Sequence, residues 1–229
     1  MANKSTGTSR RLGLDATRIT EAALGLTERC GLEGWSVRDL ATELDVVPSV
    51  VYHYFETKEA VQQTVIDRVC GTVEIPDGRL EWREWFIKLL LEMRTVMLRY
   101  NGIADAVLRG RLGPAHLPII EGAFAKLHEA SFGAMAPVVC TMIFNVAEST
   151  IASRDHQSAV GPNRHDIDAM LAGLTPMADD SPALRDLTGG FLGRLSGAGG
   201  EEVSERYFRL LIESLLDGLV HVVRDGITR

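Results

Sequence analysis

The sequence lacks most of the features that would announce a chemistry or a compartment. Its three cysteines, Cys30, Cys70 and Cys140, are odd in number and far apart. Buried free thiols are the expectation, and nothing in the sequence supports redox sensing. The polar start, Met1 to Arg11, has no signal-peptide core, and no apolar run reads as the roughly 18 residues that span a bilayer. A cytoplasmic protein with no membrane partner is the expectation. There is no Gly-rich phosphate loop, no Cys-x-x-Cys, no His-Glu-x-x-His and no nucleophile motif. The one His/Asp cluster (Asp155, His156, His165, Asp166, Asp168) has no pair of histidines at i, i+4. Neither an enzyme, a cofactor nor a metal site is expected.

Positive charge is also scarce. Lys and Arg number 24 against 31 Asp and Glu, for a net charge of −7. The deficit is uneven: residues 1–58 carry −1 and the other 171 carry −6. Within the first 18 residues only Asp15 opposes Lys4, Arg10, Arg11 and Arg18. The leading arm is therefore basic, and reads either as a solvated tail or as a strand that follows a polyanion. A length of 229 residues leaves room for one small and one medium domain, and 45% apolar with 24% charged residues fits a soluble globular chain.

The stretch from Trp35 to Val61 organises the chain. Ser36 and Asp39 make a capping box for a short helix whose Val37, Leu40, Ala41 and Leu44 share one face. Asp45 and Val46 make a turn. Pro48 suits the first turn of the next helix, where its missing N–H costs nothing. There Val51 and Phe55 point inward, and Ser49, Val50, Tyr52 and His53 point elsewhere. Two short helices about a tight turn, the second with an exposed polar-aromatic face, form a helix-turn-helix. Upstream, Asp15 caps a helix to Cys30 with Ile19, Ala22, Ala23 and Leu26 inward; downstream, Thr57 caps another to about Cys70.

These residues resemble the tetracycline-repressor (TetR) family of bacterial transcription regulators. The likeness runs from Thr17 to about Val69, through Ile19 to Leu24, Gly31 to Ala41, Leu44 to Val46, Val51 to Phe55 and Thr57 to Val61. The sequence departs from the family pattern at Asp45, often Gly, at Val47, often a capping Ser, and at Pro48. The resemblance implies an all-α, two-domain homodimer. Residues 1–70 would hold the arm and a three-helix DNA-binding domain, and residues 71–229 a helical ligand-sensing and dimerisation domain. The dimer would repress by binding palindromic operator DNA and be released by a small, mainly apolar effector. Arg38 would reach the major groove, unless it pairs on the surface with Asp39 or Glu43, while Tyr52 and Lys58 would grip phosphate. Pro48, Ser49, Val50 and His53 complete the DNA-facing set, offering a hydroxyl, a contact for a thymine methyl and an imidazole. A regulator without an inducer, constitutive or run by a protein partner, is the alternative. A helical enzyme with a chance likeness is the remaining one.

Beyond the break at Gly71–Gly78 the helices lengthen. Trp82, Phe86, Met93, Met97, Phe124, Met142 and Phe144, with His116, His128 and Asn145, make an apolar set with sparse polar groups, suited either to an effector pocket or to plain core. Residues 160–200, rich in Gly, Pro, Asp and Ser, predict one or two short helices. The final helix carries two apolar stripes. Val203, Tyr207, Leu210, Leu211 and Leu215 form one; Phe208, Ile212, Leu216, Leu219 and Val223 form the other. One stripe should seek a partner. The second, with Ser214 and Gly218 permitting close approach, is assigned to the dimer.

Overall fold

Local capping sets where three of the first four helices begin. The computed structural model describes residues 14–158, 167–178, 180–196 and 199–226, and no strand occurs among them. In α1 (Ala16–Cys30), Arg18 N donates to the capping Asp15 Oδ1 at 2.8 Å. In α2 (Val37–Glu43), Asp39 N donates to Ser36 Oγ at 3.3 Å and Ser36 N returns a bond to Asp39 Oδ2 at 2.7 Å. The Ser36 hydroxyl, and then its amide, hold the Asp39 carboxyl below its ordinary value. In α4 (Lys58–Cys70), Ala60 N donates to Thr57 Oγ1 at 3.1 Å. Only α3 (Pro48–Tyr54) starts without a side-chain cap, because Val47 has nothing to accept with. A missing cap of this kind costs about 1 kcal/mol.

These four helices close on Ile19, Ala23, Leu26, Trp35, Leu40, Ala41, Val51, Val61 and Val65, all buried. Trp35 enters this core with its polar edge satisfied, its Nε1–H donating to Thr27 Oγ1 at 3.0 Å. Cys30, expected to be buried, is instead exposed at the outer end of α1, and its thiol donates to Leu26 O.

The second body is built on α5 (Trp82–Leu98), with α6 (Ile103–Leu108), a 3-10 turn at Pro114–His116, α7 (Leu117–Glu129), α8 (Ala136–Ser158) and α12 (Gly200–Gly226) around it. Trp85, Phe86, Leu89, Leu90, Met93 and Met97 bury the inward side of α5. It touches α4, α6, α7, α8 and α12, so it is the axis of the domain. Among its described residues, the segment read as one or two short helices holds three: α9 (Ile167–Ala178), α10 (Pro182–Leu187) and α11 (Gly193–Ser196), with a π-helical turn before the last. His165, Asp166 and the basic residues Lys4, Arg10 and Arg11 lie outside the described residues.

Two expectations are corrected here. Gly133–His156 is long and apolar enough to cross a membrane by length and composition, with a mean hydropathy of 1.4. Thr141 and Asn145 break the run to the eye, yet no charge occurs between Ser131 and Glu148. In this fold the helix packs on α5, α6, α7 and α12. The two stripes of the final helix are also exchanged. Phe208, Ile212, Leu216 and Leu219 are at most 2% exposed, buried within their own chain. Ser214 and Gly218 are exposed instead, beside Tyr207 and Leu210. Both stripes are apolar at the same helical period, so composition could not rank them.

A polar seam joins the two bodies. Asn101 O accepts from Leu32 N at 2.8 Å, and Leu32 O accepts from Gln62 Nε2 at 2.8 Å. On the other side Asn101 Nδ2 donates to Asp155 Oδ1 at 2.7 Å, and Gly102 N donates to Asp155 Oδ2. Gly31 and Gly102, at φ 82° and 90°, let the two loops meet, since a Cβ on Gly102 would stand 3.2 Å from Leu32 Cβ.

Candidate nucleic-acid interface

The face of α3 turned away from the core is open. Val51 anchors the helix inward at 1% exposure, which leaves Ser49, Tyr52 and His53 exposed and Pro48 and Val50 half-buried. A concavity of about 1050 Å³ lies along it, lined among others by Arg18, Thr42, Val47, Ser49, Val50, His53 and Tyr54. Asp45 shapes this edge, holding a left-handed φ of 54° in the turn between α2 and α3. Asp is one of the few side chains that tolerate such a turn.

Arg38 is exposed on α2, and neither proposed surface partner holds it. Asp39 is committed to Ser36, and Glu43 pairs with Arg29 at 2.8 Å. Its guanidinium is available for a bidentate contact. Lys58 is differently placed: its Nζ lies 3.5 Å from Glu33 Oε2 and 5.1 Å from the centre of the Trp35 ring. A phosphate would have to compete with those partners. Sequence reasoning did not select Arg18 or Thr42 for this face, and it left Tyr54 open between a DNA-flank contact and packing. Tyr54 is fixed by its hydroxyl, which donates to Leu14 O at 2.8 Å, and that long-range contact has no local signal in the sequence.

Residues 19–63 match the family model of bacterial regulatory proteins, tetR family. The N-terminal domain is a TetR-family domain. An HTH-type transcriptional regulator of Saccharopolyspora erythraea is 33% identical over 122 residues, 52% of this chain and 52% of that protein. The class A tetracycline repressor protein from transposon 1721 of Escherichia coli is 26% identical over 124 residues, 53% of this chain and 57% of that protein. The match thus spans about half the length of the curated relatives. Among solved structures, Streptomyces coelicolor ActR in complex with (S)-DNPA superposes with a TM-score of 0.72 at 23% identity, covering 92% of this chain and 99% of that one. ActR in complex with actinorhodin gives the same score and coverage. The whole chain therefore has the TetR fold, a helix-turn-helix domain followed by a helical domain.

In the helical domain of this TetR fold, the residues read as a pocket do not all converge. Phe86, Met93 and Met97 are buried core, and Trp82, Phe124 and Phe144 are half-buried against it. Trp82 stacks edge-on to Phe132 at 5.2 Å, a packing contact. His128, Met142 and Asn145 are exposed on the outer faces of α7 and α8, where they cannot line an interior pocket of their own chain. The helical period carries each of them about half a turn from its inward neighbours. His116 is buried at 5% exposure; its Nδ1 accepts from Gly113 N at 3.1 Å while its Nε2 has no hydrogen-bond partner. Burial is the main cause that holds this imidazole below its ordinary pKa. Glu148 and Asp155, which sequence reasoning did not assign to a site, are the strongly perturbed acids of α8. Burial raises Glu148 to about 7 and Asp155 to about 6.

Proposed function

We propose that the chain is a cytoplasmic, homodimeric transcription regulator that represses by binding palindromic operator DNA and is released by a small effector held in its helical domain. The observation that carries this reading is the open face of α3. A helix pinned by one buried valine presents Ser49, Tyr52 and His53 outward along a concavity flanked by Arg18 and Thr42. That is the arrangement with which a recognition helix meets base edges in the major groove. Arg38 adds the side chain best suited to guanine.

One such helix makes few contacts, so the reading requires two. The exposed residues Val138 and Met142 on α8, with Tyr207, Leu210, Ser214 and Gly218 on α12, support an isologous interface in which these helices meet their counterparts. Apart from the backbone of its own helix and its chain neighbours, no atom of the described residues lies within 4 Å of a Cβ built on Gly218, so a partner helix can approach closely there. An effector would act by favouring a spacing of the two recognition helices that no longer fits successive grooves.

Selection from a pool of random duplexes, followed by sequencing of the retained DNA, tests this reading. The expected result is an inverted repeat with half-site centres about one helical turn, or a multiple of it, apart. Retention of no preferred sequence would overturn it.

A further inference from the structure

The recognition helix ends on a contact that reaches back to the root of the leading arm. Tyr54, the last residue of α3, donates its hydroxyl to the Leu14 carbonyl at 2.8 Å. Forty positions separate the two, so the bond ties α3 to a remote part of the chain. Leu14 is held a second time, because its side chain is half-buried against the hydrophobic core. The next residue, Asp15, is fixed as the cap of α1. The chain before Leu14 thus joins the fold at a point set by α3 itself.

That point lies on the DNA-facing side. Leu14 and Tyr54 both line the concavity along α3, together with Arg18, Ser49, Val50 and His53. Tyr54 also supports this face directly: its ring meets that of His53 edge-on, with centroids 5.5 Å apart. What precedes Leu14 in the sequence carries charge of one sign. Residues 1–14 hold Lys4, Arg10 and Arg11 and no acid. The first acid, Asp15, turns its carboxylate to the Arg18 amide of α1. Arg11 and Arg10 stand three and four residues before Leu14, so their backbone is within roughly 10–14 Å of the anchored carbonyl. That reach matches the major groove, about 12 Å wide, so arginines leaving from beside α3 meet the phosphates that border it.

We propose that Tyr54 is a positioning residue for DNA binding: its bond to Leu14 fixes where the basic arm leaves the fold and delivers Arg10 and Arg11 to the phosphates flanking α3. This rests on the operator-binding reading above and adds a part to it. Tyr54 itself reads no base. Its hydroxyl proton is committed to the Leu14 carbonyl, and its ring packs on His53. The arm supplies attachment that is independent of sequence, because a phosphate contact carries no base information. Without the bond the arm keeps its charges but starts from a wider range of positions, and ordering it weakens binding.

The test compares full-length wild type, Tyr54→Phe, the pair Arg10→Gln with Arg11→Gln, and the triple variant. Each is titrated by fluorescence anisotropy against a labelled duplex of mixed sequence over a range of salt concentrations. A neutralised phosphate contributes about 0.9 to the slope of log affinity against log salt, so losing both arginines is expected to lower that slope by about 1 to 2. Tyr54→Phe keeps the ring against His53. It is expected to weaken binding about threefold to tenfold, the range of one lost hydrogen bond, and to flatten the slope in the same direction. In the triple variant the phenylalanine should change nothing further. A merely structural hydroxyl would cost the same with or without the arginines. Equal losses in both backgrounds, or no loss in either, therefore overturn the proposal. A slope left unchanged by the arginine pair overturns it too, and operator binding through α3 stands. If the wild type binds no duplex even at low salt, the operator reading falls with it.

Discussion

The two domains treat their polar groups in opposite ways. In the DNA-facing domain the important polar contacts are short-range and complete: Asp15, Ser36 and Thr57 cap helices three residues away, and Trp35 and Gln62 reach partners in the same small core. Its site is what remains on the outside once that scaffold is satisfied. In the helical domain His116 Nε2 is buried without a partner and Glu148 is half-buried without an ion pair, and toward the end of α4, where that domain begins, Gln63 Nε2 and Asp67 Oδ1 are buried without a partner as well. A surface site can stand on a fully satisfied core, whereas an interior site must leave part of its core unsatisfied until a ligand arrives.

Substitutions on the final helix sharpen that contrast most strongly. Leu216→Glu puts a charge into the protomer core and should cost roughly 4 kcal/mol or more, seen as loss of the cooperative helical melt. Leu210→Glu, two turns away on the exposed face, should leave the melt nearly unchanged yet give monomers by light scattering and weaken operator binding. Equal behaviour of the two variants would erase the distinction between the stripes. Next comes Arg38→Ala, expected to cost about 1–3 kcal/mol at one operator position and little elsewhere, measured across a panel of mutant duplexes. Indifference to base identity would move Arg38 from reading to mere attachment.

Titration separates the domains in a second way. Burial raises Asp155 to about 6, above its unfolded value of 3.8. The folded state thus holds the proton more tightly, a contribution that is complete below pH 3.8 and lost as the pH rises through about 6. His116, lowered by burial, acts in the opposite sense: its contribution is complete above the unfolded value of 6.5 and shrinks as the pH falls below it. Denaturant midpoints of Asp155→Asn and wild type should therefore diverge between those two Asp155 values, and parallel curves would show that its burial is not felt. The smallest effect belongs to the DNA-facing domain. Val47→Ser supplies the missing cap of α3 and should stabilise by up to about 1 kcal/mol in thermal denaturation.

Legibility in the sequence followed the same division. The capping box, the Pro48 start and the inward Val51 are local signals, and they place the helix-turn-helix with its outward residues. Tyr54 stayed open between a flank contact and packing because its partner, Leu14, is forty positions away. In the helical domain the period of α8 told that one side is apolar, but not which of its residues would face α5, α6, α7 and α12. Glu148 drew no reading at all, while Met142 and Asn145 were read as pocket walls and are exposed. The stripes of α12 failed for the related reason that two apolar faces of one helix differ only in what the rest of the chain brings against them.

The seam at Leu32 has a mechanical meaning. Its amide is gripped by Asn101 of the helical domain and its carbonyl by Gln62 of the DNA-facing domain, so a single residue is clamped from both sides. A point held this way resists translation and leaves rotation as the soft degree of freedom. Asn101 is in turn tied to Asp155 near the end of α8. The joint therefore stands where a pivot between the two domains would lie, with α4 tied to it through Gln62 and α8 through Asn101 and Asp155.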